Sequence, residues 1–470
     1  MFHKRNKTLE NNHKIVFDEK IIKKYDKSGP RYTSYPTSIE FNDNFTQRDY
    51  RRWSRASNAL NRPLSLYFHI PFCDTVCYYC GCNKIATKDR TRSMPYMEAL
   101  KKEIVMQSML FNKDKQVEQL HLGGGTPTFL NDGQLEDLIT FTNKNFALKN
   151  DDSGEYSIEI DPREIGEQTL ATLRELGFNR LSLGVQDFNY DVQVAVNRIQ
   201  PINQTENAIK IGRDLKYHSI SIDLIYGLPF QNIKSFSVTL DNIIRLSPDR
   251  VSVYNYAHLP KLFKPQRRIN AATLPSPGEK LDILKMTIEK LHNAGYVYIG
   301  MDHFAKKTDE LTIAQQNGTL QRNFQGYSTH ANCDMIAMGL SSISNVGNTY
   351  SQNVRTEIEY YEKIEEGSLP IFRGIEFTGD DIVRQDIISQ LICHLHLNTN
   401  IISKIYSINF WEYFKKEEAD LLLMQKDGLL ELDKNQITIN SKGVLLIRNI
   451  CMVFDAYLRK RQTTNFSKTI

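Results

Sequence analysis

The chain has 470 residues, of which 40% are hydrophobic, an ordinary proportion for a globular protein. Its 59 Lys and Arg against 55 Asp and Glu give a formal charge of +4. That excess is too small over this length to indicate nucleic acid or an anionic membrane surface as a partner. The N-terminus is basic but lacks an apolar segment, and no run of about 18 apolar residues occurs. We therefore expect no membrane span and a cytoplasmic location, where clustered thiols are more often metal ligands or catalysts than disulfides.

Residues 1–60 show no strong strand signal, and we predict an N-terminal arm there. Within it, residues 28–37 place Arg31, Tyr32 and Tyr35 between prolines. Proline fixes its own backbone torsion and disfavours helix in the residue before it, so this segment is expected to be extended. The alternative is a surface linker.

Four of the seven cysteines lie between positions 73 and 82, a segment that we call the cysteine loop. Cys73, Cys77 and Cys80 follow the spacing C-x3-C-x2-C, and Cys82 follows two residues later. Thiolates are the usual ligands of iron-sulfur clusters, and three of them would leave one iron of a 4Fe-4S cluster open to a small molecule. The alternatives are a structural zinc site, a disulfide or simple packing. Structural zinc sites usually need a second separated pair of ligands, which is absent from the sequence.

From residue 64 onward, short β-rich runs alternate with amphipathic helical stretches. This alternation predicts a parallel sheet covered by helices. We interpret residues 61–355 as a partial (β/α) barrel of the TIM type, in the α/β class. The predicted strands are 64–70, 117–122, 156–160, 180–185, 220–226, 251–256 and 296–301, and the predicted helices are 94–110, 134–146, 167–176, 235–246 and 278–294.

The unusual residues of this region follow the predicted strands. In parallel α/β barrels the working residues lie at the carboxyl ends of strands, because the following loops gather there. The cysteine loop follows the first strand and a triple glycine at 123–125 the second. The ends of the next four strands carry Glu159 to Arg163, Gln186 and Asp187, Asp223 and Gly227, and Asn255 to His258. Glycine there suits close approach of the backbone to a ligand, although a tight structural turn would also explain it. The carboxylates of Glu159 and Asp223 could equally be solvated or salt-bridged.

Beyond residue 305 the alternation becomes less regular. A polar aromatic loop at 323–327 precedes a small-residue stretch at 338–344. We predict a mainly helical C-terminal domain over 356–470, with helices at 382–395, 410–425 and 445–459 and a hairpin at 429–439.

The motif from His69 to Cys73, leading into the three-cysteine spacing, resembles the radical S-adenosylmethionine superfamily. The further matches resemble the oxygen-independent coproporphyrinogen III oxidases; they are Cys82 and residues 30–37, 123–128, 184–188 and 223–229. The resemblance implies one 4Fe-4S cluster on Cys73, Cys77 and Cys80, with Cys82 as a cysteine that does not bind it. It also implies two S-adenosylmethionine molecules. The first would contact Tyr67, Gly124 and Glu159, and the second Tyr79, Gly125, Thr126, Gln186, Arg198, Asp223, Ala257 and Ile343.

The reaction implied by this resemblance is the oxidative decarboxylation of two propionates of coproporphyrinogen III by a 5'-deoxyadenosyl radical. Tyr67 and Glu159 would be its catalytic residues, and an electron donor such as a flavodoxin or ferredoxin would reduce the cluster of a monomeric protein. The substrate carboxylates need cationic partners, and we hypothesise that Arg31 is one of them. The alternatives within the superfamily are a haem-binding chaperone and a radical methyltransferase that opens the haem ring. Residues 331–337 depart from the family pattern, which bears on the contact expected at Ile343.

Overall fold

The computed structural model describes residues 15–330, 333–461, 466 and 468. The chain forms two compact units. The larger one comprises Phe41–Lys290 and Asn332–Glu376, and the smaller one Met1–Glu40, Leu291–Ala331 and Phe377–Ile470. These units divide the chain at other positions than the three predicted segments, so the domain boundaries at 60 and 355 stay a prediction.

The larger unit is built on one sheet. Its ten principal strands, in chain order, are β1 Leu64–Ile70, β2 Gln116–Gly124, β3 Glu155–Ile160, β4 Arg180–Gln186, β5 Ser219–Tyr226, β6 Arg250–Asn255, β7 Asp334–Met338, β8 Ile343–Val346, β9 Thr349–Asn353 and β10 Ile371–Glu376. Their spatial order is β6-β5-β4-β3-β2-β1-β7-β8-β9-β10. The first seven strands in this spatial order are parallel to one another. Each of the last three, β8, β9 and β10, is antiparallel to the strand before it. The predicted strands β1 to β6 and the partial barrel are confirmed.

Helices follow most parallel strands, as the βα alternation requires. The helices of this unit are Gln47–Ala59, Ser93–Ser108, Asp132–Asn145, Glu167–Glu175, Tyr190–Ala195, Ile202–Asp214, Ile233–Leu246 and Glu357–Glu365, and Pro277–Asn293 begins in it. Four of the five predicted helices lie entirely here and the fifth is Pro277–Asn293. The prediction did not include Tyr190–Ala195, Ile202–Asp214 or, within residues 1–60, the helix Gln47–Ala59. Strands β7 to β10 were missed as well.

The two faces of the parallel strands differ. Every second residue of β3, β4 and β5 is fully buried, and these positions are mostly Ile, Leu and Val. The alternate positions are only partly buried and include Ser157, Glu159, Ser182 and Asp223. A parallel sheet covered on both faces would be apolar throughout. The second face therefore lines a polar, accessible interior at which a ligand can bind.

The smaller unit is mainly helical. Its helices are Glu19–Tyr25, Glu310–Asn317, Gly379–His394, Thr399–Tyr406, Phe410–Tyr413, Lys415–Lys426, Ile447–Val453 and Ala456–Lys460. Its strands are Tyr296–Gly300, His303–Lys306, Gln321–Asn323, Gly326–Ser328, His396–Asn398, Leu430–Asp433 and Gln436–Ile439. The predicted hairpin is confirmed, whereas the helix predicted at 410–425 is interrupted at Phe414 and that at 445–459 is divided near residue 454.

Residues 28–37 contain no helix, as predicted, but they are not a surface linker. Tyr32 and Tyr35 are buried in the core of the smaller unit. The Tyr32 hydroxyl donates to Asp455 Oδ2 at 2.9 Å, and the Tyr35 hydroxyl accepts from the Ala456 amide at 3.1 Å. Burial raises the pKa of both phenols, which stay neutral. The two tyrosines thus anchor the segment to the C-terminal helices.

Candidate functional site

Polar side chains form a row across the interior face of the parallel sheet. Tyr67 on β1 lies beside His121 on β2 in the strand register, and His121 lies beside Ser157 on β3. The rings of Tyr67 and His121 stack with centroids 5.7 Å apart. Because parallel strands in register bring such residues to one level, one cross-section of the barrel is polar.

Glu159 links this row to the triple glycine. Its Oε1 lies 3.4 Å from His121 Nε2, and its Oε2 accepts the Gly124 amide at 3.2 Å. The Tyr67 hydroxyl lies 3.1 Å from His69 Nδ1, and His69 Nε2 lies 2.9 Å from the Asn83 carbonyl oxygen. The structure therefore brings together all three residues expected around the first S-adenosylmethionine: Tyr67, Gly124 and Glu159.

The charges in this group follow from burial and from the neighbouring donors. Burial lowers the pKa of His69, which is neutral at pH 7. Burial alone would raise the pKa of Glu159, but the hydrogen bond and charge of His121 and the Gly124 amide lower it overall. Burial, followed by the charge of Glu159, raises the pKa of Asp223 to about 6. Glu159 is thus the firmly ionised carboxylate of the interior and Asp223 the more readily protonated one.

The glycines at 124 and 125 leave no room for a side chain. Gly124 has φ of +118°, in the region that favours glycine, and a Cβ there would lie 2.8 Å from the His69 ring. A Cβ on Gly125 would lie 2.6 Å from the Phe72 carbonyl oxygen. The triple glycine therefore packs tightly against the backbone that leads into the cysteine loop.

In the cysteine loop Cys73 and Cys77 are buried, Cys80 is partly buried and Cys82 is exposed. Each of the first three sulfurs has a hydrogen-bond donor. Thr126 Oγ1 lies 3.6 Å from Cys73 Sγ, Arg198 Nη1 lies 3.7 Å from Cys77 Sγ, and the Cys82 amide lies 3.4 Å from Cys80 Sγ. Donors at sulfur stabilise thiolates.

The side chains of Cys80 and Cys82 are hydrogen-bonded to each other. This bond lowers the pKa of Cys80 and raises the pKa of Cys82. The choice of Cys80 over Cys82 as a ligand rests on the C-x3-C-x2-C spacing of the sequence.

The donor set of the loop fits a 4Fe-4S cluster. Among the residues that the structure describes, no three His, Cys, Asp or Glu side chains converge closely enough to hold a single ion. A cluster of four irons is wider than one ion, so its thiolate ligands stand further apart. Three thiols in one loop, each with a hydrogen-bond donor at its sulfur, form a donor set that a 4Fe-4S cluster can use.

Arg198 connects the loop to β3 and β4. This guanidinium is only 6% exposed, and it donates to Asp161 Oδ2 at 2.8 Å and to the Gly184 carbonyl oxygen at 2.6 Å. Asp161 also accepts from Arg163 Nη2 at 2.6 Å. Burial raises the pKa of Tyr79, while the charge of Arg198 opposes that shift. Arg198 thus places a fixed positive charge between Cys77 and Tyr79.

Gln266 holds two more of the predicted residues in place. Its Nε2 donates to the Tyr79 carbonyl oxygen at 3.0 Å and to that of Ala257 at 3.2 Å, while its Oε1 accepts the Leu259 amide. The Ser182 hydroxyl donates to Asp223 Oδ2 at 3.2 Å. These bonds connect members of the second predicted set within the larger unit.

The positions of the other residues of the second predicted set follow from the backbone of the strands and loops that carry them. Gln186, with φ of +70°, ends β4 beside Arg198, and Thr126 follows the triple glycine. Ile343 begins β8 opposite Gln352, and because its side chain is a hydrocarbon only its backbone could hydrogen-bond a ligand. Ala331 and Asn332, in the segment that departs from the family pattern, lie outside the described residues.

Sequence reasoning placed Asp161 and Arg163 at the end of the third strand but gave them no role, and it missed His121, Ser182 and Gln266. His121 and Ser182 could have been found from the alternation of polar and apolar residues along the strands. Gln266 gave no signal in the sequence, because its role depends on which loops the fold brings together.

Comparison with known proteins agrees with this geometry. The sequence model of the radical SAM superfamily matches residues 67–243. Oxygen-independent coproporphyrinogen III oxidase from Pseudomonas aeruginosa is 52% identical over 456 residues, which cover 97% of this chain and 99% of that protein. The Escherichia coli K12 protein of the same name is 48% identical over 457 residues. This chain belongs to the oxygen-independent coproporphyrinogen III oxidase family.

A solved structure leads to the same family. Coproporphyrinogen III oxidase from Escherichia coli, described as a radical SAM enzyme, superimposes with a TM-score of 0.90 and 46% identity. The match covers 95% of this chain and all of that one. The predicted family, fold and enzyme class are therefore confirmed, and membership implies a 4Fe-4S cluster and S-adenosylmethionine. No helix in the described part of the chain is long and apolar enough to cross a membrane.

Proposed function

We propose that this protein removes two propionate carboxyl groups from coproporphyrinogen III, giving protoporphyrinogen IX. The observation that carries the proposal is the cysteine loop, in which three thiols with donors at sulfur adjoin the polar interior of the barrel. The names of the full-length relatives support the substrate.

Cys73, Cys77 and Cys80 would hold the cluster. When bound, the cluster and S-adenosylmethionine supply the one-electron chemistry that generates the 5'-deoxyadenosyl radical. The protein's own part is to bind, orient and exclude water. Thr126 Oγ1 and Arg198 Nη1 lie within hydrogen-bond distance of Cys73 Sγ and Cys77 Sγ, where each could donate to a sulfur that binds the cluster. Buried aromatic side chains such as Phe72 and Phe129 pack behind the loop.

We propose two separate sites for S-adenosylmethionine. Tyr67, Gly124 and Glu159 form one set, in which the ionised Glu159 carboxylate is suited to accept hydrogen bonds from the ligand. The other set is centred on Arg198, which is paired with Asp161 and whose enclosed Nε has no acceptor among the described residues. It comprises Tyr79, Gly125, Thr126, Gln186, Arg198, Asp223, Ala257 and Ile343.

The finer expectations about partners belong to the same proposal. A flavodoxin or ferredoxin would reduce the cluster, the protein would act as a monomer, and its location would be the cytoplasm.

The test is anaerobic reconstitution with iron, sulfide and S-adenosylmethionine, followed by mass spectrometry of coproporphyrinogen III. We expect loss of two carbon dioxide equivalents. Cys77→Ser should abolish the reaction, and Cys451→Ser, which changes a buried thiol of the smaller unit, is the control. An unchanged substrate together with tight binding of haem would instead favour the chaperone.

A further inference from the structure

A strongly basic segment follows β6 at the carboxyl edge of the sheet. Residues 261–268, which we call the basic segment, contain Lys261, Lys264, Arg267 and Arg268. No Asp or Glu occurs between positions 251 and 278. The positive charge of this loop is therefore not compensated by any carboxylate of the loop itself.

All four cations of the basic segment are exposed, and none has an ion-pair partner within the described part of the chain. Arg267 Nε donates to the Pro260 carbonyl oxygen at 3.0 Å, and the Arg268 guanidinium lies over the Tyr78 ring, 5.2 Å from its centroid. These contacts fix the two arginines without neutralising them. The segment therefore presents its full positive charge to solvent.

Other arginines near the site or expected in it are paired. Arg90, which follows the cysteine loop, forms an ion pair with Asp74. Arg31, the substrate cation hypothesised from the sequence, lies in the smaller unit with its Nη1 3.4 Å from Asp302 Oδ2. The basic segment differs from both, because its charge is available to an external partner.

The basic segment packs directly on the cysteine loop. The Phe263 ring lies so close to Gly81 that a Cβ there would be 3.0 Å from it. Gln266 Nε2 donates to the Tyr79 carbonyl oxygen at 3.0 Å. Tyr79 and Gly81 are the two chain neighbours of Cys80, one of the three expected cluster ligands. Only direct contacts and one hydrogen bond therefore separate this exposed segment from a ligand of the cluster.

Two large apolar side chains are displayed on the same loop and beside it. Leu262 is 65% exposed within the basic segment, and Phe230 is 53% exposed. The Phe230 amide donates to the Thr273 carbonyl oxygen at 2.8 Å, which holds this residue against the later part of the loop. Its φ of +63° is rare for a bulky residue, so the fold maintains a strained backbone there. Apolar contacts surrounded by charged residues are the usual composition of a protein–protein interface.

We propose that the basic segment is the docking surface for an acidic protein that carries one electron to the cluster. Complementary charge speeds the encounter of two proteins and orients them. One electron leaves the reduced carrier and enters the oxidised cluster, and no bond forms or breaks. This inference rests on the proposed function and adds the surface at which the electron donor binds. The substrate is also an anion, but radical chemistry needs a site closed to water, whereas these cations are exposed.

The test first measures binding without turnover. An oxidised flavodoxin and an oxidised ferredoxin, both acidic carriers, are titrated separately into the reconstituted protein and into its Lys261→Glu/Lys264→Glu variant by calorimetry. Both lysines are exposed, and neither makes the contacts that hold the segment to the cysteine loop. At low salt we expect the variant to bind the carrier about tenfold more weakly or worse. The difference should shrink as salt shortens the Debye length from about 30 Å at 0.01 M to about 8 Å at 0.15 M.

Turnover is then measured with two kinds of reductant. With the carrier that binds, kept reduced and below saturation, decarboxylation by the variant should fall about tenfold. With saturating reduced methyl viologen, which needs no docking surface, both proteins should turn over equally and contain equal iron.

Lys113→Glu/Lys144→Glu is the matched control. It reverses the same amount of charge on two exposed lysines of the same unit. Lys113 shortly precedes β2 and Lys144 precedes β3, so both lie toward the amino ends of the parallel strands, away from the cysteine loop. This variant should bind the carrier, and turn over with either reductant, as the unchanged protein does.

The outcomes separate this inference from the proposed function. If the unchanged protein does not decarboxylate coproporphyrinogen III with methyl viologen, the proposed function fails. If it does, and neither carrier binds it or the Lys261→Glu/Lys264→Glu variant binds the carrier equally well, the docking surface is refuted. A raised KM of that variant for coproporphyrinogen III with methyl viologen would assign the lysines to the substrate and also overturn the inference. Should the variant not fold, carrier binding to the unchanged protein that does not weaken with salt would refute it instead.

Discussion

Gly125→Ala should damage the cysteine loop without adding any polar or charged group. The new Cβ would lie 2.6 Å from the Phe72 carbonyl oxygen and 2.7 Å from that of Pro71, whereas ordinary contact begins at 3.4 Å. Both neighbours are backbone atoms, so one chain must move by about 0.8 Å, the difference between 3.4 and 2.6 Å. Overpacking of this kind costs about 1–3 kcal/mol.

The displaced backbone carries a cluster ligand. The Gly125 amide donates to the Ile70 carbonyl oxygen and the Thr126 amide to that of Phe72, each at 2.8 Å. Moving these bonds shifts Cys73, which directly follows Phe72. Because misplacement of reacting groups by about 1 Å can cost about a hundredfold in rate, we expect decarboxylation to fall by about that factor.

The assay compares iron and sulfide content after reconstitution, and then the rate of decarboxylation, with Gly133→Ala as the control. Gly133 lies in the helix Asp132–Asn145, and only the Asn131 side chain, at 3.6 Å, would approach its Cβ. Alanine there should be neutral or stabilising by about 0.5–1 kcal/mol. A Gly125→Ala protein with normal iron content and normal rate would refute the reasoning.

Three further substitutions test single contacts. Asp223→Asn removes a carboxyl whose pKa is raised to about 6, so the folded state binds this proton more tightly than the unfolded chain does. The free energy of unfolding of the unchanged protein should therefore fall relative to that of the variant as pH rises from about 4 to 6. Urea titrations should show a relative loss of the order of 2 kcal/mol. An unchanged difference across that range would contradict this. Gln266→Ala should raise the KM for S-adenosylmethionine while leaving iron content unchanged, because it frees the Tyr79 backbone. Gln315→Ala, which loses a similar buried bond in the smaller unit, should leave that KM unchanged. Cys82→Ser should still assemble a 4Fe-4S cluster by electron paramagnetic resonance; complete loss of the cluster would argue that Cys82 is a ligand.

The regular part of the barrel could be predicted because its strands and helices differ in hydrophobic period. The strands β7 to β10 could not. Asp334 begins β7 although it is an acidic residue, and it is 1% exposed. It is satisfied by the Ser57 hydroxyl and lies 3.7 Å from Lys115 Nζ. Both partners are more than 200 positions away in the chain, so no local pattern indicates that this carboxylate can be buried.

The candidate site likewise contains some residues that could be predicted from the sequence and others that could not. The three cysteines and Glu159 could be predicted because spacing and strand-end position carry their signal. The alternation along β2 indicates which face His121 lies on, but only the register places it between Tyr67 and Ser157.

The central claim is that the cluster of this chain drives removal of the propionate carboxyl groups. Coproporphyrinogen III labelled with carbon-13 in those carboxyl groups, incubated anaerobically with the reconstituted protein, S-adenosylmethionine and a reductant, tests it most directly. The account predicts two labelled carbon dioxide molecules per protoporphyrinogen IX formed, and none from Cys77→Ser. Labelled carbon dioxide released equally by both proteins, or by neither, would contradict it.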